Sequence, residues 1–303
     1  MTVLEVIQKS AEFLTKRGVD SPRLQAELLL AHVLKLPRMK LYLNFERTLT
    51  EAEADAMRTL VKRRGTREPL QHIIGTTSFC GYEIAVNRHV LIPRPETEML
   101  AELGWKFLVE LSASRGSRRE ETHAEKERQS LLTSAATALD FGTGSGCLAI
   151  ALAAKCPAAR IVALDVSADA LTIARQNADR NGVNAWVEFR QSDGFAAVPQ
   201  ESRFDLIISN PPYIPAAEIA TLQPEVRDFD PRGALDGGAD GLDFYRLLAQ
   251  TVPAFLKADG KIMLEFGDGQ ADDIKKIFVA QNWIVEAVHA DYSQRQRILV
   301  ARR

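Results

Sequence analysis

Four consecutive residues, Asn210 to Tyr213, place an amide, two prolines and an aromatic ring directly after an apolar run. The preceding FDLII predicts a buried strand, and the prolines must end it because they cannot donate to a sheet ladder. A planar NH2 group is a poor nucleophile, since its lone pair is delocalised. The Asn oxygen and a proline-segment carbonyl can accept its hydrogens, the prolines stiffen the backbone, and the tyrosine offers a flat face. We therefore predict that Asn210, Pro211, Pro212 and Tyr213 are catalytic and bind the substrate; the alternative is a rigid loop with a core tyrosine.

A second group of residues, DFGTGSG from Asp140 to Gly146, joins a predicted strand to a predicted helix. Glycines let the backbone approach a ligand closely, and a helix N-terminus favours negative charge. A dinucleotide-binding loop needs a third glycine where this chain has Cys147, and a P-loop needs Gly-Lys-Ser/Thr. The Gly-x-Gly-x-Gly spacing is instead the one seen in Rossmann-like methyltransferases that bind S-adenosylmethionine (SAM).

Acidic residues at the ends of predicted strands support a SAM site. Asp165 ends the second strand, where a carboxylate accepts hydrogen bonds from ribose hydroxyls, and Asp140 is placed to face the methionine ammonium. Asp193 follows the third strand, where the adenine is expected. A purely structural glycine turn is the alternative, and Asp165 argues against it. The predicted cofactor-binding residues are Gly142, Thr143, Gly144, Ser145, Gly146, Asp165, Asp193, Gly194 and Asn210.

The order of the predicted elements places both groups in one α/β fold. From Ala138 onward strands and helices alternate, which predicts a doubly wound, Rossmann-like sheet with helices on both faces. Its fourth strand ends where the strand order reverses and ligands bind, so Asn210 should lie beside the SAM methyl group. A helix is predicted over 243–257, and the last two strands are predicted to be antiparallel neighbours.

Three regions are predicted along the chain. Residues 1–70 predict a helical bundle, with Ser21 and Thr50 as helix N-caps. Residues 71–92 mix β-branched, aromatic and turn residues, which predicts a β-hairpin linker. Residues 93–303 form the predicted methyltransferase domain, in which the polar stretch 112–136 is predicted to be a surface insertion or a flexible loop.

Composition and charge narrow the class of protein. The 303 residues are 46% hydrophobic and 26% charged, which is typical of a soluble globular protein. The chain has no signal-peptide core and no apolar run near the ~20 residues that span a membrane, so we predict a cytoplasmic protein. The three cysteines include no Cys-x-x-Cys pair and predict free thiols. The five scattered histidines predict no metal site.

Residues 1–70 carry 13 Lys and Arg against 9 Asp and Glu, a net charge of +4, so the remainder carries −6. The basic region could meet an acidic partner or nucleic acid. A solvated helical surface explains the charge equally well.

Taken together, the motifs resemble a known family over nearly the whole chain. They are LIPRPETE from Leu91 to Glu98, DFGTGSG, SNPPYIP, and DGGADGLDFYR from Asp236 to Arg246. The family is the protein-(glutamine-N5) methyltransferases that modify the Gly-Gly-Gln motif of peptide chain release factors. Asn-Pro-Pro-Tyr alone is shared with enzymes that methylate adenine or cytosine amines, and the LIPRPETE segment favours glutamine.

The resemblance implies an activity and further site residues. The substrate would be a release factor glutamine, SAM the cofactor and S-adenosylhomocysteine its product, and the helical bundle of residues 1–70 would recognise the release factor. Our default expectation is a monomer that needs neither nucleic acid nor membrane. Glu98 would lie near the cofactor, and Phe79 and Arg94 would contact the substrate, with Glu96 and Thr97 bracing the site. An Arg94–Glu96 ion pair that only fixes a helix start is the alternative. Some relatives carry an aromatic residue at Gly194, so either Phe195 compensates or that adenine contact is lost.

Two rival hypotheses remain at this point. An adenine-N6 methyltransferase acting on DNA or RNA shares the Asn-Pro-Pro-Tyr motif, but it should carry a basic groove and a target-recognition region. The catalytic part of this chain is instead net acidic. A binding protein that lost activity is the other, and the intact glycine loop, Asp165 and Asn210 argue against it.

Overall fold

A computed structural model describes residues 1–117 and 135–303, and these divide into two compact units. One unit consists of Met1–Thr76 together with Leu222–Phe229. The other consists of Thr77–Thr221 and Asp230–Arg303, apart from the residues not described. Most of the polar stretch predicted at 112–136 lies outside the described residues.

The first unit is helical. Its helices are α1 (Val3–Lys16), α2 (Pro22–Leu34), α3 (Arg38–Leu41), α4 (Glu51–Gly65) and α5 (Leu70–Ile74), with a helical turn at Pro224–Arg227. Apolar residues of α1, α2 and α4 form its core, among them Ile7, Leu14, Leu29, Leu30 and Met57. The helical bundle predicted from the sequence is therefore present, and residues 71–74, predicted as the start of the hairpin linker, belong to helix α5.

Two of its helices begin in different ways. Thr50 caps α4 as predicted, because its hydroxyl accepts from the Glu53 backbone while the Glu53 side chain accepts from the Thr50 backbone. Ser21 precedes α2 but makes no side-chain cap, since it lies in the left-handed region with φ 47°. Pro22 begins this helix without a serine cap, so that part of the prediction was wrong.

The second unit begins with a hairpin and a long helix. Strands β1 (Thr76–Phe79) and β2 (Tyr82–Ala85) are joined at Cys80 and Gly81, both with positive φ, as a two-residue turn requires. Helix α6 (Pro95–Ser117) follows, so residues 112–117 continue a helix where an insertion or a loop was predicted.

Seven strands of the described residues form the main sheet, in the order β5-β4-β3-β6-β7-β9-β8. Their bounds are β3 (Thr137–Phe141), β4 (Arg160–Asp165), β5 (Val187–Gln191), β6 (Phe204–Ser209), β7 (Leu256–Glu265), β8 (Ile284–Ala290) and β9 (Gln296–Arg302). Strands β3 to β7 pair in parallel, and β9 is antiparallel to both β7 and β8, as predicted for the last two strands.

Helices cover both faces of this sheet. Helices α6, α7 (Cys147–Lys155) and α8 (Ala168–Arg180) share one apolar core with residues such as Leu206 and Ile208 of β6. Helices α9 (Asp243–Thr251) and α10 (Ala271–Ala280) share the other core with Ile207. Because neighbouring residues of β6 enter opposite cores, the strand is buried on both sides, as a parallel sheet requires.

One predicted helix is shorter than expected. The apolar pattern predicted a helix over 243–257, but α9 ends at Thr251 and a 3-10 turn follows at Val252–Ala254. Pro253 lacks a backbone N–H and its ring clashes with the preceding turn, so the helix ends there. Leu256 and Lys257 consequently belong to β7.

Two further expectations concern the whole chain. All three cysteines are free; Cys147 and Cys156 are buried, and Cys80 is partly exposed. Within residues 1–117 and 135–303, no helix combines the length and the apolar character needed to cross a membrane.

Candidate active site

The site lies at the carboxyl edge of the sheet, where β3 and β6 are neighbours. The strand order reverses between them, since β4 lies on the far side of β3 and β7 on the far side of β6. The Ser209 hydroxyl donates to the Phe141 carbonyl at 2.6 Å. This bond fastens the end of β6 to the start of the glycine loop, and it brings Asn210 next to Gly142.

The glycine loop leaves space at two of its glycines. Gly142, Gly144 and Gly146 have φ values of 72°, 53° and 82°, which side chains rarely adopt. A Cβ atom at Gly142 or Gly144 would meet no atom within 4 Å, whereas one at Gly146 would lie 3.1 Å from the Ala174 Cβ. The first two glycines keep the backbone open toward a ligand, and the third lets α7 pack against α8.

The Asp165 carboxylate is held by the backbone on both oxygens. Gly144 N–H donates to Oδ2 at 2.8 Å and Ser167 N–H donates to Oδ1 at 2.9 Å. Each oxygen keeps a further lone pair. The arrangement presents a rigid acceptor for a pair of vicinal hydroxyl groups, such as those of a ribose.

Asp140 is buried beneath the same loop. Its Oδ2 accepts from the Thr143 hydroxyl at 2.6 Å and from the Ala149 backbone at 3.2 Å, while Oδ1 has no hydrogen-bond partner among the described residues. Burial raises the pKa of this carboxyl to about 7, against the two hydrogen bonds that lower it. A buried acceptor without a partner is costly.

The first part of the glycine loop and Asp165 open onto a cavity of about 290 Å³, and Asp140 lies beneath the loop without lining it. Most of the predicted site residues line it, namely Gly142, Thr143, Gly144, Ser145, Asp165, Asp193, Gly194, Asn210, Pro211, Pro212, Arg94 and Thr97. Gly146, Glu98, Phe79 and Tyr213 are not among its lining residues.

The sequence did not predict several of the residues that line the cavity. They are largely apolar and come from the segments before α6, after β4 and around residue 233, and from the first turn of α9. They include Val90, Leu91, Val166, Pro231 and Phe244. Val166, directly after Asp165, is 64% exposed and offers a wall for a planar ring. Its apolar character beside the predicted ribose acceptor was a signal that could have identified it.

The residues present fit SAM. The open glycines match its amino acid chain, the Asp165 acceptor matches its ribose, and the apolar walls match its base. No group of histidine, cysteine, aspartate or glutamate side chains suited to a metal ion occurs in the described part of the chain.

The Asn210 side chain is oriented by one hydrogen bond. Its Nδ2 donates to the Thr97 hydroxyl at 3.0 Å, and Thr97 is itself buried. With the NH2 end occupied, the carbonyl oxygen of Asn210 is left to accept a hydrogen from a bound substrate. This is the acceptor role predicted for Asn210 from the sequence.

A second glycine-rich segment braces the backbone of Pro212 and Tyr213. The Gln270 side chain donates to the Tyr213 carbonyl at 2.9 Å. A Cβ atom at Gly237 would lie 2.9 Å from the Pro212 carbonyl oxygen, and one at Gly241 would collide with the Tyr213 carbonyl oxygen. Only glycines allow this approach, which explains the repeated glycines of DGGADGLDFYR. The Tyr213 phenol is mostly buried, and burial raises its pKa to about 12.

Arg94 has a different partner from the one considered in the sequence analysis. It pairs with Asp230 at 2.7 Å, rather than with Glu96. Burial raises the pKa of Asp230 to about 6, although Arg94 opposes that change. The pair fixes the segment that carries Pro231 and Gly233 at the cavity wall.

The structure places the two remaining predicted residues away from the cavity lining. Phe79 is 1% exposed in the core. The Glu98 carboxylate accepts from the Cys80 backbone at 2.7 Å and so holds the hairpin turn. Their roles toward substrate and cofactor stay predictions.

Phe195 faces the core as well. It stacks on Phe141 and Phe255, with centroid distances of 5.2 Å and 5.0 Å. Gly194 has φ 57°, and a Cβ there would meet nothing within 4 Å. Phe195 thus does not line the cavity in place of the aromatic residue that some relatives carry at position 194.

Comparisons with known proteins agree with this architecture. The profile of the PrmC N-terminal domain matches residues 5–75, and that of the methyltransferase small domain matches residues 128–223. Release factor glutamine methyltransferase of Geobacter sulfurreducens is 42% identical over 91% of this chain and 88% of its own length. The protein of the same name from Chlorobaculum tepidum is 40% identical over 98% of this chain and 95% of its own.

A comparison with solved structures shows a similar fold. The hMettl16 catalytic domain, in complex with MAT2A 3'UTR hairpin 1, matches with a TM-score of 0.54 at 16% identity, covering 90% of this chain and 91% of that one. At that identity the match shows a common fold, and it does not identify a substrate.

Proposed function

The chain belongs to the release factor glutamine methyltransferase family, and from this premise we propose that its cavity catalyses transfer of a methyl group to a glutamine side-chain amide of a peptide chain release factor. The observation that carries the proposal is the position of Asn210. Its free carbonyl oxygen lies at the same sheet edge as the open glycine loop and the Asp165 carboxylate.

The reaction balances without a metal or an external redox partner. The methyl donor is the sulfonium of SAM, whose carbon–sulfur bond breaks as a carbon–nitrogen bond forms, with the electron pair passing to sulfur. The amide nitrogen then loses one proton to solvent, so the products are N5-methylglutamine, S-adenosylhomocysteine and H⁺.

In this scheme the protein residues bind the methyl donor and orient the substrate amide. Gly142, Gly144 and Asp165 hold the donor, and the Asn210 oxygen accepts one hydrogen of the substrate NH2 group. The Pro211 carbonyl accepts the other, and the rigid prolines keep both acceptors in place. Tyr213 is proposed to support the planar amide. Holding the nitrogen in line with the methyl group is the main contribution, because positioning of this kind supplies a large share of many rate enhancements.

Methylation of a nucleobase amine is the second candidate. The motif of Asn210 to Tyr213 suits any planar NH2 group, including the exocyclic amine of adenine or cytosine. The chain beyond residue 70 is net acidic, with a charge of −6, which disfavours a polyanion. We therefore propose a protein substrate, in the cytoplasm where translation takes place, and an enzyme acting as a monomer without nucleic acid or membrane.

A methyl-transfer assay separates these candidates. The protein would be incubated with radiolabelled SAM and with intact release factor, its Gly-Gly-Gln variant carrying alanine for glutamine, duplex DNA or an RNA hairpin. Label should enter only the intact release factor, and mass spectrometry of its peptides should place the methyl group on that glutamine. Labelling of DNA or RNA without labelling of release factor would refute the proposal.

A further inference from the structure

Glu265 lies beside the proposed catalytic residue but was not recognised in the sequence. It is the last residue of β7, and the parallel register that pairs Ser209 with Leu264 brings the next residues, Asn210 and Glu265, to the same edge. Glu265 is 2% exposed, and its Oε2 has no hydrogen-bond partner among the described residues. A buried carboxyl with an unpartnered oxygen destabilises the fold, which points to a functional reason for it.

Thr97 connects Glu265 to Asn210. The Thr97 hydroxyl accepts from Asn210 Nδ2 at 3.0 Å. The same hydroxyl lies close enough to the Glu265 carboxyl to stabilise its ionised form and so oppose the rise of its pKa. Thr97 lies in the first turn of α6 and is 2% exposed, so its side chain is confined between the two. The three polar groups therefore form a connected chain, in which Thr97 and Glu265 are buried and Asn210 reaches the cavity.

The chemistry of the three groups decides which way the amide faces. An ionised carboxylate only accepts hydrogen bonds, and a hydroxyl has a single proton. When that proton is given to Glu265, the Thr97 oxygen must accept, and the atom of Asn210 facing it must be the NH2 nitrogen. The carbonyl oxygen of Asn210 then faces the other way.

Resting on the methyl transfer proposed above, we propose that Glu265 is a positioning residue that acts through Thr97 to hold the Asn210 carbonyl oxygen toward the NH2 group of the substrate. A protonated Glu265 can instead donate to Thr97, which frees the Thr97 proton for the Asn210 oxygen. The side-chain amide of Asn210 would then turn over and point its NH2 group at the NH2 group of the substrate. Two hydrogen-bond donors cannot bond to each other.

The surroundings of Glu265 let its protonation change near neutrality. Burial raises the pKa of this carboxyl to about 7, and the Thr97 hydrogen bond opposes that change. The charged and titratable groups around it are Glu96 and Arg94 near the start of α6, Arg297 on β9, and the phenols of Tyr213 and Tyr245. Activity should accordingly fall on the acid side as Glu265 takes up a proton.

The test compares kcat across pH for the wild type and a set of variants. Glu265→Gln can donate to Thr97 and Thr97→Val removes the link, so each should lower kcat about 10-fold to 100-fold near pH 8. Each should also lose the acid limb of the wild-type profile. The double variant Glu265→Gln/Thr97→Val should be no slower than Thr97→Val alone. Thr97→Ser keeps the hydroxyl and should retain most of the wild-type rate. Glu286→Gln on β8, whose carboxylate pairs with Lys261 and Arg302, is the matched control.

Two outcomes would overturn the inference. One is a Glu265→Gln enzyme with the wild-type rate and the wild-type acid limb; the other is a double variant whose losses multiply. Circular dichroism and SAM titration would establish that each variant folds. If Glu265→Gln does not fold, Thr97→Val compared with Thr97→Ser carries the same test.

A further measurement separates this inference from the proposed substrate. If the wild type methylates DNA or RNA and not release factor, the substrate proposal fails, and the same rate ratios are measured on the nucleic acid. If the wild type methylates none of these substrates, the inference is tested by NMR on the side-chain ¹H–¹⁵N signals of Asn210. They should shift as Glu265 titrates in the wild type and stay constant in Glu265→Gln; constant signals in both would overturn the inference.

Discussion

At the scale of single residues, Asn210 connects sequence and chemistry most directly. Its NH2 end is engaged by Thr97, and its oxygen remains available at the cavity. Asp165 has the same arrangement in its proposed role toward the methyl donor, because two backbone N–H groups fix its carboxylate. In both cases a polar side chain is held by one set of partners so that another face can bind a ligand.

Asn210→Ala should lower kcat by about 100-fold to 1,000-fold, the effect of removing one positioned polar group from an active site. Single-turnover methyl transfer to release factor would measure the loss. The exposed Asn184→Ala, on the surface of the same unit, is the control and should keep the wild-type rate. An Asn210→Ala enzyme with a near-normal rate would place the active site elsewhere.

At the scale of elements, the segment 236–241 acts as a support for the residues that follow β6. Ile214 and Asp236 form a parallel bridge, and Gly237 and Gly241 approach the backbone of Pro212 and Tyr213 closely. The loop that we propose to be catalytic is therefore held in place by a second loop, to which we assign no chemical role.

Gly241→Ala should displace the Tyr213 carbonyl and lower kcat by about 100-fold, since small shifts of positioning groups have effects of that size. Gly182→Ala is the matched control. It shares a positive φ, 68° against 76°, but its Cβ would meet nothing within 4 Å, so only strain of about 1 kcal/mol is expected. Equal rates for the two variants would show that the contact with Tyr213 is unimportant.

The helical unit has an electrostatic support of its own. Glu225 pairs with Arg64 at 2.7 Å and with Arg67 at 2.6 Å, and these bonds fasten the turn Pro224–Arg227 within this unit. The Arg64 side chain is only 4% exposed. The two arginines lower the pKa of Glu225 against the effect of burial.

Glu225→Ala should leave the Arg64 charge buried without its partner and reduce the free energy of unfolding by about 3 kcal/mol. Urea unfolding followed by circular dichroism would measure it. The exposed Glu46→Ala in the same unit should change stability little. A Glu225→Ala protein as stable as the wild type would mean that Arg64 finds water or another partner.

At the scale of the whole molecule, the second unit buries three carboxyl groups close to its cavity. Burial raises the pKa of Asp140 and Glu265 to about 7 and that of Asp230 to about 6. A folded-state pKa above the unfolded value means that the folded protein binds protons more tightly. The stability that these groups contribute is complete at acid pH, below their unfolded pKa values, and is lost as pH rises toward neutrality.

The ligand-free protein should therefore lose stability from these groups between about pH 5 and pH 7.5, by at most ~1.4 kcal/mol per pH unit for each group. Denaturant unfolding across that range would measure the slope. Asp140→Asn should flatten it, and Asp179→Asn on the exposed side of α8 should leave it unchanged. An Asp140→Asn slope equal to that of the wild type would show that Asp140 takes up no proton on folding.

The sequence by itself determined the fold class, the glycine loop, Asp165 and the motif of Asn210 to Tyr213. It could do so because strand-helix alternation, glycine spacing and proline stops are local patterns.

Only the tertiary structure decided what depends on contacts between distant segments. It paired Arg94 with Asp230, placed Glu98 on the hairpin turn, turned Phe195 into the core, and set Gly241 against Tyr213. It also brought Glu265 and Thr97 together around Asn210. Thr97, Asn210 and Glu265 lie between 55 and 168 positions apart in the chain, so no local pattern indicates that they meet. The register of β6 and β7 and the position of α6 bring them together.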